Sequence, residues 1–151
     1  MKLMFEFSKI ASAFLTESKL DLKSAKLLFE NGIYSRAIYF AHQSSEKAIK
    51  SCLAIRNITS GEHKVTVFFE KEFSNDFDKK VFSEIVKFAR ELEIQGIKSR
   101  YPLFSRPDKP IWVPSGEYFE VDAREAINKA DFILNSLMEF IVSNLGNYTE
   151  K

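Results

Sequence analysis

The residues best suited to chemistry fall in two stretches. The first is the centre of Gly32–Leu53, where His42-Gln43-Ser44-Ser45-Glu46-Lys47 is an unbroken polar run inside a segment rich in Ala and Ile. Six consecutive polar residues encircle a helix, so at least one or two of them face its packed side. Burying such groups is costly unless they are hydrogen-bonded. The run is therefore either a structural lock or a site. The second stretch is Gly96–Gly116, which holds all four prolines, Trp112, and the cations Lys98, Arg100, Arg106 and Lys109. Cations interleaved with Tyr101, Phe104 and Trp112 could hold phosphate and stack on a base. The competing account has the aromatics anchoring the segment while the charges stay solvated.

Other candidates are isolated. Asp21 interrupts an apolar stripe, and either lies at a solvated edge or pairs with a cation on the next helix; as a buried carboxylate it would join the polar centre of that helix. Glu46 stands four residues before Lys50, a favourable helical pair in its own right. Gln43, Lys47 and Lys50 could instead line one broad polar face together with Arg100, where the cations would meet phosphate. His42 and His63, with no acidic or Cys cluster beside them, make a poor metal site, and no metal or cofactor is expected.

Helices must position these groups. Residues 8 to 30 place Ile10, Phe14, Ser18, Asp21, Ala25 and Leu28 on one stripe. Asn31-Gly32 closes that helix, because both residues tolerate a left-handed conformation. The second helix runs from Gly32 to about Arg56, with Tyr34, Ala37, Ala41, Ser45, Ala48 and Cys52 on a side of mostly small residues. The short link predicts an antiparallel hairpin with a close approach. Thr59-Ser60-Gly61 breaks the chain and offers a hydroxyl cap. Residues 62 to 73 read as a short amphipathic helix; VTVFF has strand character, but there is no second strand for it to pair with. Ser74-Asn75-Asp76 restarts a helix that ends near Gly96. Proline density excludes a regular helix over Gly96–Gly116, a length that favours a functional or well-packed loop. From Tyr118 to about Leu145 a last helix presents Phe119, Ala123, Ala126, Ala130, Ile133, Leu137 and Ile141.

The totals agree with this plan. One hundred and fifty-one residues suffice for a single domain spanning 1–151, with its core at about 8–145. With 22 basic and 21 acidic side chains the net charge is +1, so nothing global attracts nucleic acid or membrane, and an anion site must be a local cluster. Fifteen phenylalanines supply large core anchors beside the small residues of the second helix. Cys52, on the small-residue side, is expected to be a buried thiol. No segment reads as a signal peptide or a bilayer span, and the expectation is a soluble, cytoplasmic protein. The fold class is all-α: an up-and-down four-helix bundle with an additional short helix and a long Pro-rich loop before the last helix.

In order, Asp21 and Ala25, Gly32-x-Tyr34, Ala37-x-x-Phe40-Ala41-x-Gln43-x-x-Glu46-Lys47-x-x-Lys50, His63 at a helix start, Arg100-Tyr101-Pro102, and Ala126 with Ala130 resemble the HEPN domain. The resemblance covers about residues 8 to 145; Ser44 departs from it, as does a longer interval before Arg100-Tyr101-Pro102. It implies a homodimeric helical bundle that binds nucleotides and pairs with a separately encoded minimal nucleotidyltransferase in a toxin–antitoxin-like system. The chain lacks the Gly-Ser and paired acidic residues with which such transferases hold metal, so it would not transfer nucleotides itself. The leading reading is a non-catalytic module, with Gln43, Lys47, Lys50, Arg100 and Tyr101 as nucleotide-binding residues and Asp21 and Glu46 in a structural polar seam. Within that seam Gln43, Glu46 and Lys47 would fix how the first two helices dock, with Lys50 nearer solvent.

The same resemblance implies an alternative. Ribonuclease members of the wider family carry an Arg followed, after four to six positions, by a His, and Arg56 and His63 fit with six residues between them. His63 would be the general acid or base at the RNA 2′-hydroxyl, and Arg56 would stabilise the phosphate without a metal. The alternative to this role is that His63 caps or packs the third helix.

Overall fold

The computed structural model describes residues 2–104, 108 and 111–149. Six helices and one small hairpin follow in the order α1 Lys2–Glu30, α2 Tyr34–Ile55, α3 Thr66–Phe73, α4 Lys79–Lys98, β1 Leu103–Phe104, β2 Ile111–Trp112, α5 Pro114–Glu117 and α6 Glu120–Thr149. The fold is all-α apart from the hairpin, in which Leu103 pairs with Trp112 and Phe104 with Ile111 in antiparallel register.

Helix α2 is the hub, packing against α1, α4 and α6 and touching α3 and α5. Its small residues permit this. Ala37, Ala41, Ala48 and Cys52 are fully buried, as are Ala11 and Ala25 of α1. Gly32, at φ 75°, turns the chain between α1 and α2 in the conformation that glycine adopts freely. Across the seam the Ser18 hydroxyl donates to the Ser44 carbonyl at 2.7 Å, the Ser44 hydroxyl donates back to the Ser18 carbonyl at 2.9 Å, and Ser51 donates to the Ala11 carbonyl at 2.7 Å. These bonds satisfy buried hydroxyls that would otherwise penalise the close approach. On the other side, Phe69, Phe73, Phe77 and Phe82 stack or tilt against one another, and Phe140 of α6 meets Phe73 edge-on at 5.4 Å.

Several boundaries differ from the sequence reading. Helix α1 begins at Lys2, well before residue 8. Asp78, not Ser74–Asp76, caps α4, its carboxylate accepting from the amides of Lys80 and Val81. No hydroxyl of 59–61 caps α3. Glu93 of α4 does so from outside, accepting from the Thr66 amide at 3.0 Å and its hydroxyl at 2.5 Å. Phe119, placed on the α6 stripe, precedes the helix and is exposed. The Pro-rich segment is not wholly irregular, since Pro114 opens α5 at a position that tolerates proline. Arg106, Pro107, Lys109 and Pro110 lie outside the described residues. Among the described residues, no helix is long and apolar enough to cross a membrane.

Candidate functional site

Helix α4 continues two residues past Gly96, and that glycine explains part of the site. A methyl group there would lie 2.2 Å from His42 Nδ1 and 2.4 Å from its Cγ. The imidazole therefore occupies the volume of the missing side chain, where α2 and α4 press together. Gly96→Ala is expected to destabilise the protein by about 1–2 kcal/mol, because overpacking outweighs the gain in helix propensity. In a His42→Ala background the same change should stabilise instead. Urea unfolding of the four proteins checks the reversal.

His42 is buried, and its pKa is lowered to about 4 by burial first, then by the positive charges of Arg100 and His63. It is neutral near pH 7. Around it, five buried side-chain atoms find no hydrogen-bond partner among the described residues: both ring nitrogens of His42, Gln43 Nε2, Glu46 Oε1 and Gln95 Oε1. Polar atoms are seldom left so, and each costs about 1–3 kcal/mol of desolvation.

One turn along α2, Glu46 is the charged centre of this cluster. Its side chain is only 4% exposed. Oε2 receives Lys50 Nζ at 3.3 Å and His63 Nδ1 at 3.4 Å, and Oε1 lies 3.9 Å from His42 Nε2. Lys50 is 11% exposed against 25% for Lys47, so the expectation that Lys50 lies nearer solvent is reversed. The i, i+4 spacing folds its chain back over α2 toward Glu46, with the ammonium 5.9 Å from the Phe14 ring centroid. Lys47 reaches across to α1 and pairs with Asp21 at 2.6 Å.

At the N-terminal end of the same helix a cleft of about 400 Å³ opens between α2 and the end of α4. Arg36, Tyr39 and Phe40 line one side, and Ser99, Arg100 and Tyr101 the other. The Arg100 guanidinium lies 4.9 Å from the Tyr39 ring centroid and its Nη2 is 3.5 Å from the Tyr39 hydroxyl. Trp112 secures this wall by donating its indole N–H to the Lys98 carbonyl at 3.1 Å. Tyr101, 65% exposed, stands at the rim. Two guanidiniums with flanking phenol rings suit a phosphorylated aromatic ligand.

Of the residues singled out from sequence, Arg100 and Tyr101 line the cleft; Gln43, Lys47 and Lys50 are not among its lining residues. Arg36 and Tyr39 were missed, although their i, i+3 spacing on α2 was a readable signal. Arg56 and His63 have different partners. The Arg56 guanidinium covers the Phe73 ring at 4.8 Å and pairs with Asp76 at 2.5 Å and Glu72 at 3.8 Å. His63, 67% exposed, faces Glu46. Cys52 is fully buried, and burial pushes its thiol pKa up, leaving it inert. Among the described residues, no group of three or more His, Cys, Asp and Glu side chains is placed to hold a metal ion.

With this geometry in view, comparison with known proteins is decisive for the family. The HEPN domain matches the chain over residues 11–141. The chain belongs to the HEPN domain family. A Methanocaldococcus jannaschii protein named "Putative toxin MJ1304" is 28% identical over 145 residues, covering 91% of this chain and 92% of that protein. Among solved structures, TT1696 from Thermus thermophilus is similar with a TM-score of 0.72 at 26% identity, covering 85% of this chain and 96% of that one. ST0689, described as an archaeal HEPN homologue, gives a TM-score of 0.65 at 27% identity, covering 87% and 97%. This HEPN chain shares most of its length with all three, so the cleft and the Glu46 cluster lie within the matched fold.

Proposed function

We propose that this HEPN protein is a toxin-like module that binds a nucleotide, as such or within RNA, in the cleft between Arg36 and Arg100. The observation that carries the reading is the pairing of two guanidiniums with Tyr39 and Tyr101 in one cleft of nucleotide-like size. The similarity to a protein named as a toxin supports the biological class. In the same reading the chain is a homodimer and the partner of a separately encoded minimal nucleotidyltransferase, located in the cytoplasm.

Titration with ATP, GTP and a short single-stranded RNA tests the cleft. Arg100→Ala should weaken binding about tenfold or more, as expected for loss of a charge-assisted hydrogen bond. Affinity should also fall with added salt. Equal, weak binding by the wild type and Arg100→Ala removes the cleft from consideration.

A further inference from the structure

Glu46 has the features of a positioning group. A carboxylate this deeply buried is expensive to keep, and a leucine would fill the same volume without leaving Oε1 unpaired. Lys50 neutralises it from within the bundle, and toward the surface it meets the Nδ1 side of His63. That contact leaves the ring's other nitrogen, Nε2, directed away from the carboxylate on a side chain that is two-thirds exposed. A carboxylate holding one imidazole nitrogen fixes the ring's orientation and frees the other nitrogen to exchange a proton. Arg56 takes no part, being committed to Asp76, Glu72 and Phe73.

Distance then limits the ligand. Tyr39, under Arg100, and Glu46, under His63, are seven residues apart on α2, or about 10 Å along its axis. That separation is the rise of about three stacked nucleotides. A mononucleotide whose phosphate sits at Arg100 therefore leaves His63 unoccupied, whereas a strand of a few nucleotides covers both. His42 lies between the two levels, close enough to both Arg100 and His63 to respond to their charges.

We propose that Glu46 and His63 form a positioned carboxylate–imidazole pair next to the Arg36–Arg100 cleft, serving a single-stranded oligoribonucleotide that spans the two. This rests on the binding reading above and extends it. His63 Nε2 takes the proton of a ribose 2′-hydroxyl, and the 2′-oxygen bonds to the adjacent phosphorus as the bond from phosphorus to the 5′-oxygen breaks. The 5′-oxygen leaves with a proton from water, and the imidazolium returns its proton to the resulting hydroxide. The products are a 2′,3′-cyclic phosphate and a 5′-hydroxyl end. Here His63 is the catalytic residue, and Glu46 and Lys50 are positioning residues.

The test incubates end-labelled single-stranded RNA with a large excess of full-length protein, and measures affinity with a matched 2′-deoxy strand that cannot react. The wild type should release cyclic-phosphate ends. His63→Ala should lose about a hundredfold or more of the rate, with added imidazole restoring part of it. Glu46→Gln should lose rate with little change in affinity, and Glu46→Asp should recover some of it; circular dichroism verifies that each variant is folded. Intact RNA with the wild type, despite Arg100-dependent binding of the deoxy strand, overturns the pair and leaves the binding reading standing. Cleavage that survives in His63→Ala also overturns it. Failure of any strand to bind removes both.

Discussion

Replacing Lys50 by methionine is expected to cost the fold about 3–5 kcal/mol, although its partner is only one helical turn away on the same face. An exposed i, i+4 ion pair contributes about 0.2–0.5 kcal/mol, because water screens it and both side chains lose freedom. Here Glu46 and Lys50 are both nearly excluded from solvent, and Glu46 Oε1 lacks a hydrogen bond. Methionine fills much of the lysine's volume, so packing changes little and the loss isolates the charge. What remains beside Glu46 is His63, at the surface, and the neutral His42. The double replacement Glu46→Leu with Lys50→Met should return most of the loss, since removing both members of a buried pair is often close to neutral. Urea unfolding at pH 7 measures both. A loss of under about 1 kcal/mol for Lys50→Met would mean that Glu46 is solvated far better than its burial indicates.

Acidification provides the second large effect. His42 is held neutral in the fold, with its pKa lowered from 6.5 to about 4. In the unfolded chain the same imidazole takes up a proton as the pH falls below 6.5. Between these values the unfolded state binds more protons than the native state, so stability falls as pH falls. The window runs from about pH 6.5 to about pH 4, and the full difference corresponds to about 3 kcal/mol. Carboxylates elsewhere also titrate toward the lower end, so the diagnostic quantity is the difference from His42→Gln, which has no titrating ring. Its stability should decline less steeply across that window, by up to about 3 kcal/mol in total. Parallel urea titrations at half-unit intervals measure this. Identical slopes would show that the buried ring does not govern the acid limb.

Much of the architecture was legible because buried stripes recur at helical spacing. Ala123, Ala126, Ala130, Ile133, Leu137 and Ile141 were identified from spacing alone, and all are buried in α6. The ends were less readable. Gly96 looks like a helix terminator, but its lack of a side chain admits the His42 ring, a relation between residues more than fifty positions apart. The two-residue strands are too short to show alternation. At the site, Arg100 and Tyr101 stood out as a cation beside an aromatic ring. Arg36 and Tyr39 did not, because only the tertiary fold brings Arg100 over Tyr39. Spacing suggested Arg56 with His63, but spacing carries no information about Asp76 and Glu72, which engage Arg56 from elsewhere in the chain. Lys50 was placed toward solvent by helical angle, and the buried charge of Glu46 holds it inside.

The two walls of the cleft have unlike attachments. Arg36 and Tyr39 belong to the helix on which the whole bundle packs, whereas Arg100 and Tyr101 begin the passage that leaves α4 and is fastened through Trp112. A substitution on the first wall is felt by the interior. One on the second meets little beyond the ligand and a single indole. Ligand preference in such a molecule can drift by rewriting the passage after α4 while the framework stays unaltered, so divergence among relatives should concentrate there, at little cost to folding.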